Sequence, residues 1–459
     1  MHRLHQGHDF LPLRPLTQEE ISSLPDRPAI DERVFVIGSG IAGCTAAWVL
    51  SEAGYAVTIL EQLDMPFSST SIGALGIHLG GRYPKDWKTA VECLHSGILM
   101  KKLMGFAFSD SKLRFLMADD SPMSFDRYLK HYRKLQQYYS QLPAEDHVFG
   151  PPEEFFRILE PEELKAFHGI SGGIETQEAC FDMDRVRTVL LRTLKARGVT
   201  LLTSTEVLGV SKNDGEGARY GIRVRNLKTG VVEVLHAETV VNAAGPQTRT
   251  IGQTLRHMPK RRLDLRFFQD VELNSKAQAS YPFPFVVMPV HMHYVPLGGG
   301  TASLVGFSHT LGSIQVEEGQ RLSIPVSWRQ QLKARSVHGS AKRASIAVAM
   351  AREKFMPELG DAKVRTVYPG VAVCFNFEPH MKRQQRVERT PGMPNYFTIN
   401  PTKASHSIGL ALELADRLVK SSVQSGRVTT TSGYLADVVT GRSLAHLATE
   451  SQSPALKSR

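Results

Sequence analysis

Gly38, Gly40 and Gly43 stand in G-x-G-x-x-G spacing, and Glu61 follows 23 positions after the first of them. Each residue type suits one task in gripping a diphosphate. Gly38 permits a tight turn out of a strand, Gly40 lets the backbone close on a pyrophosphate, and Gly43 lets a helix pack against that strand. Ile41 and Ala42 fall in the first helical turn, where N–H groups without partners in the helix point at the anion. Glu61, followed by Gln62, accepts hydrogen bonds from an adenosine ribose, and an acid there disfavours the 2′-phosphate of NADP.

Such glycines carry meaning only in context. Here Val34–Ile37 is an apolar run that reads as a buried strand, Ile41–Glu52 reads as a helix, and Ala56–Leu60 reads as a second strand ending at Glu61. Strand, glycine turn, helix, strand and acid occur in the required order, so the segment predicts a bound dinucleotide.

A second group of residues suits substrate chemistry. The stretch GIHLGGRYP holds His78, Arg82 and Tyr83, and Gly76, Gly80 and Gly81 let its backbone bend. Arg82 could hold a carboxylate with two parallel hydrogen bonds, which lysine does less well. His78 is the weaker candidate, as a ligand or base. Further on, PVHMHYVPLGGG supplies His291, His293 and Tyr294, and His309 follows. His291 and His293 are two apart and share one strand face. No third ligand accompanies them, so one sheet face is expected there and no zinc site.

Length and composition set the frame for these residues. At 459 residues the chain needs two or three substructures, and its 42% hydrophobic and 22% charged content is that of a soluble globular protein. No apolar run reaches the length of about 18 residues that a spanning helix needs. The N-terminus lacks the apolar core of a secretion signal, so a cytoplasmic site is the expectation. Cys44, Cys93, Cys180 and Cys374 are scattered without a C-x-x-C, which argues against a zinc site or a redox pair. The net charge of +10 includes clusters at Lys260–Arg266 and Lys382–Arg389. No aromatic residues interleave with them, so a mildly basic surface favouring anionic ligands is expected, and no nucleic acid.

The remaining sequence supplies elements to position the candidates. Residues 1–30 form an extension, and a Ser/Thr/Gly-rich loop runs from Ser68 to Gly76. Helical segments cover roughly 86–105 and 125–140. An acid-capped helix from Asp184 to Arg197 ends at Gly198. Strands follow at Val199–Thr203 and Glu206–Val210, then Gly221–Asn226, a Thr229-Gly230 turn and Val231–Leu235. Thr239–Ala243 is a strand that meets Ala244-Gly245-Pro246. From about 265 to 375, strands broken by Pro and Gly (Phe283–Pro289, His293–Pro296, Thr301–Gly306) indicate an antiparallel sheet. Tyr396–Asn400 is a strand leading through Pro401, Thr402 and Lys403 into a helix from Ile408 to Lys420.

Three blocks in this order carry a family resemblance: VIGSGIAGCTAAWVLSEAGYAVTILEQ; FDMDRVRTVLLRTLKARGVTLLTSTEVLGV with VVNAAGPQT after it; and NYFTINPTKASHSIGLALELADRLV. Together they make the chain resemble the FAD-dependent D-amino-acid oxidase superfamily, which includes glycine and sarcosine oxidases. The resemblance implies an α/β fold: a Rossmann-like FAD-binding domain of the glutathione-reductase type, interleaved with a mixed or antiparallel β-sheet substrate domain. It implies FAD segments at 31–110, 181–264 and 391–430, substrate segments at 111–180 and 265–390, an extension at 1–30 and a tail at 431–459. It implies ADP contacts from Gly38, Gly40, Ile41, Ala42, Gly43, Glu61 and Gln62, and an adenine contact from the backbone of Val207. Ala243, Ala244 and Gly245 are implied beside the pyrophosphate, and Ser69, Thr70 and Ser71 in a loop touching pyrophosphate and ribityl oxygens. Thr402 and Lys403 stand where relatives place a glycine-rich turn, with Lys403 able to face the charge gathered by reduced flavin.

In this superfamily FAD takes a hydride from a C–H next to an amine or a hydroxyl, so positioning residues are expected and no acid–base triad. The candidates are Arg82, Tyr83, His78, Tyr294 and Lys403. The substrate implied is a small amine or amino acid, with a 2-hydroxy acid or polyol phosphate as the alternative, since PTKAS is similar to the lysine-bearing turn of glycerol-3-phosphate dehydrogenases. The electron acceptor is oxygen or a redox partner. Non-covalent FAD is expected, and Cys374 lies roughly where one superfamily cysteine tethers flavin. A flavin-binding protein without catalysis is a remote third reading.

Overall fold

The computed structural model describes residues 30–67, 75–76, 79–213, 219–255, 263–274, 280–290, 292–298, 301–305, 312–317, 320–334, 341–360, 362–375, 387–400 and 403–424. The expected C-terminal tail and nearly all of the N-terminal extension lie outside them. Strands that position the site are β1 (Ile30–Ile37), β2 (Tyr55–Leu60), β3 (Phe108–Ala118), β4 (Ile170–Phe181), β5 (Thr239–Asn242), β6 (Phe285–Met288) and β7 (Met292–Gly298). Helices that do so are α1 (Ile41–Glu52), α2 (Trp87–Met104), α3 (Phe125–Ser140), α4 (Met183–Ala196), α5 (Ala341–Lys354) and α6 (Ser407–Gln424).

A six-stranded sheet holds β1 at its middle, flanked by β2 and β5, with Thr200–Leu202 beyond β2 and Tyr396–Ile399 beyond β5. These five strands are parallel, and Val387–Arg389 closes one edge antiparallel. β1 is apolar throughout its second half because both its faces are covered. Val34 and Val36 face the helical side, while Phe35 and Ile37 join a second cluster with Val210, Tyr220, Ile222 and Val224. That second cluster lies under an antiparallel three-stranded sheet, Thr205–Lys212, Tyr220–Asn226 and Val232–Ala237. The hairpin turn falls at Gly230 (φ +76°), and Asn226 Oδ1 accepts from the N–H groups of Lys228 and Thr229.

All 12 residues of α1 are buried, since it packs against β2, α4 and α6. Its Glu52 is held there by Arg197, at 2.6 and 2.9 Å, and by the Trp48 indole N–H at 3.2 Å. α4 begins one residue earlier than expected, with the Asp182 side chain accepting from Arg185 N, and the chain turns at Gly198 (φ +70°).

The second large layer is a ten-stranded mixed sheet. β4 pairs antiparallel with β3, β3 parallel with β6, and β6 antiparallel with β7. Side chains alternate between its faces. Leu113, Phe115, Met117, Val286 and Met288 meet the core shared with α2 and α3, whereas Leu116, Ala118, Phe285 and Val287 pack with Ala344, Val348 and Ala351 of α5. β3, β4, α5 and the helix Val326–Ala334 were not expected from the sequence. Gly172 and Gly173 resemble a turn in sequence, yet they lie inside β4, where a Cβ on Gly172 would sit 2.7 Å from the Phe125 ring. Leu75–Gly76 and Phe108, assigned to an FAD segment by sequence, pair into this sheet, and Val387–Arg389, assigned to a substrate segment, pairs into the six-stranded one.

Candidate functional site

Two groups of side chains assemble at strand and helix ends. The first is the glycine turn. Gly38 has φ +96°, and its N–H donates to Leu60 O at 2.8 Å. A Cβ on Gly38 would sit 2.7 Å from Ala243 O, and one on Gly43 would sit 1.9 Å from Gly38 O. β1, α1 and the end of β5 therefore meet at backbone distance. Gly40 caps α1 without a side-chain hydrogen bond, and no acid occupies the first turn. That leaves the helix N-terminus suited to an anion.

Glu61 is buried at the end of β2. Its Oε2 accepts from Ser39 N at 2.9 Å and Ser39 Oγ at 2.6 Å, and its Oε1 accepts from Leu63 N at 2.8 Å. A carboxylate has about four lone-pair sites, so this one braces the turn and keeps acceptor capacity for a ribose. Ala243 N donates to Ile37 O at 2.9 Å, and Asn242 Nδ2 donates to Thr248 O at 2.8 Å and Tyr396 Oη at 2.9 Å. Gly245 follows with φ +54° and open space around it. Gln62 and Val207 are half-buried, Val207 beside a bulge in its strand. The cradle of close glycines, the uncapped helix and the acid at β2 together fit the ADP half of FAD.

The second group forms where loop 79–83 meets α2, α3, β4, β7 and the entry to α6. Lys403 is buried, its Nζ 3.8 Å from the centre of the Tyr83 ring and 2.6 Å from Cys93 Sγ on α2. Arg82 Nη2 lies 2.9 Å from His293 Nδ1. A guanidinium can only donate, so Nδ1 accepts and the neutral ring carries its proton on Nε2. Glu178, wholly buried on β4, accepts from Tyr132 Oη at 2.9 Å and from Gly81 N at 3.3 Å. Burial pushes its carboxyl up to about 7, opposed by the Arg82 charge, the Tyr132 hydroxyl and the backbone N–H groups of Gly81 and Leu79. Burial likewise raises the Tyr132 and Tyr128 phenols and takes the Cys180 thiol to about 12, which Arg82 pulls down. Burial lowers His131, whose Nε2 lies 3.1 Å from Gly80 O.

Glycine is required in this loop. Gly80 has φ +109°, and a Cβ on Gly81 would sit 2.0 Å from Tyr132 Oη. The loop is thereby pressed onto α3, which fixes Arg82 and Tyr83 beside β4.

Of the residues expected to act on substrate, Arg82, Tyr83 and Lys403 come together. Tyr294 does not. His293 pairs with Val286 on one sheet face; Tyr294 pairs with Phe285 on the other. Tyr294 is fully buried there, stacked on Phe285 at 5.2 Å and edge-on to Tyr281 at 5.9 Å, and burial takes its phenol to about 12. Strand alternation thus makes Tyr294 a core residue and puts its neighbour His293 at the site. Ser69, Thr70, Ser71, His78, His291, His309 and Thr402 lie outside the described residues. Cys374 lies opposite Asp264 in the strand Lys363–Phe375, and its side chain is outside them too. Among the described residues no group of three metal-ligating side chains occurs, and no helix is long and apolar enough to cross a membrane.

Glu178, Tyr132 and Cys93 were missed from sequence. A signal was present for Glu178. In IETQEAC, Ile174, Thr176, Glu178 and Cys180 alternate along one face, so the acid stands at an inward position.

Comparison with known proteins agrees with this geometry. The family described as FAD dependent oxidoreductase (DAO) matches residues 33–417. One component of the anaerobic glycerol-3-phosphate dehydrogenase of Escherichia coli (strain K12) is 28% identical over 214 residues, which is 46% of this chain and 37% of that protein. The chain therefore matches little more than a third of that relative's length. Glycine oxidase from Geobacillus kaustophilus superimposes with a TM-score of 0.60 at 16% identity, covering 85% of this chain and 95% of that one. L-alpha-glycerophosphate oxidase from Mycoplasma pneumoniae, with FAD bound, gives 0.61 at 16% identity, covering 86% and 95%. At such identities the shared property is the fold.

Proposed function

The chain belongs to the FAD dependent oxidoreductase (DAO) family, and from that premise we propose that it oxidises a small anionic substrate, taking hydride from a carbon that bears an amine. The observation that carries this reading is the placement of Lys403, from a distant part of the chain, against the ring of Tyr83, the residue next to Arg82. A substrate carboxylate suits the planar fork of Arg82.

In this reading Gly38, Gly40 and Gly43, with the N–H groups of Ile41 and Ala42, hold the diphosphate of FAD, and Glu61 takes the ribose. Val207 and Ala243–Gly245 line the same end, and Ser69, Thr70, Ser71 and Thr402 complete it by family position. Bound FAD supplies a two-electron acceptor for the hydride. Arg82 orients the substrate through its anionic group, neutral His293 steers the guanidinium, and Lys403 adds positive charge. The six-stranded and three-stranded sheets form the nucleotide unit and the ten-stranded sheet forms the substrate unit. Oxygen or a redox partner accepts the electrons, and the compartment is the cytoplasm.

A second reading is oxidation at the hydroxyl of a polyol phosphate. It is favoured by the relative named for glycerol-3-phosphate dehydrogenase and by two cations, which suit a doubly charged phosphate.

The test is a visible spectrum of the purified protein, followed by anaerobic bleaching against amino acids, N-methyl amino acids, 2-hydroxy acids and glycerol 3-phosphate. A yellow protein bleached by an amine-bearing acid supports the first reading. Bleaching by glycerol 3-phosphate alone replaces it with the second. A colourless protein that cannot take up FAD removes both.

A further inference from the structure

Glu178 is a wholly buried acid with no part in the hydride transfer proposed for this site. It lies between α3, which supplies the Tyr132 hydroxyl at 2.9 Å, and loop 79–83, which supplies Gly81 N at 3.3 Å, one residue before Arg82. Among the described residues, the titratable and charged groups that influence it are Tyr132 and Tyr128 from α3 and Arg82 from the loop, and Arg82 also acts on Cys180, two residues further along the same strand. His293 lies behind Arg82 and His131 behind Gly80. Arg82 follows Gly81, whose N–H the Glu178 carboxyl accepts, and its positive charge favours the ionised acid.

We infer that Glu178 is a positioning residue that sets the anion affinity of Arg82: ionised, it serves as the buried counter-charge of the guanidinium, and protonated, it leaves that charge to the substrate's anionic group. The inference rests on Arg82 being the substrate-anion site. Its reasoning is competitive. A carboxylate and a substrate anion draw on one positive charge in a place of low dielectric, so each weakens the other's hold. Substrate binding and protonation of Glu178 are then reciprocally linked. The direction follows. Burial holds the carboxyl near 7, so anion affinity is high below that pH and falls as pH rises through it.

The experiment uses the FAD-loaded protein and two probes whose charge is constant from about pH 6 to 9, acetate for a carboxylate and sulfate for a phosphate. Dissociation constants are read from the change in flavin absorbance across that range. For the native protein the constant of at least one probe rises about tenfold or more with pH, as an opposite charge worth one or more pK units requires. In Glu178→Gln the rise disappears and affinity stays at the low-pH level. In Tyr132→Phe, which removes a hydrogen bond favouring the ionised acid, the rise persists and moves to higher pH. A purely structural role for Glu178 would shift neither profile. A rise that survives in Glu178→Gln, a profile flat in the native protein, or the absence of any acetate or sulfate effect at pH 6 each overturns the inference while the flavin reading stands. A colourless protein that rejects added FAD overturns the flavin reading itself and the inference with it.

Discussion

Replacing Gly43 by alanine tests the nucleotide site at its tightest point. The added methyl would lie 1.9 Å from Gly38 O, where an ordinary contact begins at 3.4 Å. Relief requires a displacement of 1.5 Å, the difference between those two distances. Both sides of the contact are backbone, so no side chain can swing away. α1 must back off from the turn, and its N–H groups move away from the phosphate site by a comparable distance. A hydrogen bond of about 2.9 Å stretched by that much is lost. Two such charge-assisted bonds at about 1.5–3 kcal/mol each correspond to roughly 3–6 kcal/mol, or about a hundred- to ten-thousand-fold in FAD affinity. The overpacking itself costs about 1–3 kcal/mol of stability. The assay is titration of apoprotein with FAD by flavin fluorescence, with thermal unfolding measured alongside. Gly105→Ala is the control, because that glycine has helical φ −54° and no atom within 4 Å of the added methyl; its FAD affinity stays native. Native FAD affinity in Gly43→Ala would refute the argument, since it would place the diphosphate away from the N-terminus of α1.

Other outcomes follow from the second group of residues. Arg82→Lys raises the Michaelis constant several-fold and leaves the flavin spectrum intact, because a lysine cannot reproduce the two-pronged contact; an unchanged constant would remove Arg82 from the substrate site. Tyr294→Phe leaves kcat/KM within about twofold of native, since the phenol lies on the far face of the sheet; a large loss in steady-state assays would restore it as a candidate. Glu178 also writes a signature into stability. Its carboxyl stands near 7 in the folded protein against 4.5 for the free side chain, so the folded state holds the extra proton between those values. Native stability therefore falls as pH rises from about 4.5 to about 7, by at most roughly 3 kcal/mol, and Glu178→Gln lacks that component. Denaturant unfolding of both proteins at several pH values measures the difference, and parallel pH profiles would contradict the assignment.

The nucleotide end was legible in sequence because its signals are local. Gly38, Gly40 and Gly43 sit between strand and helix within one stretch, and the burial of β1 on both faces gives it a continuous apolar run. The substrate end was legible only in part. Arg82, Tyr83 and Lys403 stood out as types, but their meeting depends on α6, α2 and loop 79–83 converging from distant positions. Tyr294 went astray because PVHMHYVPL identifies a strand and does not say which set of alternate residues faces the site. Glu178 was hidden for the opposite reason. β4 carries a Gly-Gly pair and two glutamates, so its strand character comes from pairing with β3 and from the fit of Gly172 under Phe125, neither of which is local.

The Glu61 carboxylate clasps Ser39 and Leu63, so part of the turn's shape comes from the protein's own hydrogen bonds. A substitution at Glu61 would disturb the fold of the turn as well as the hold on the nucleotide.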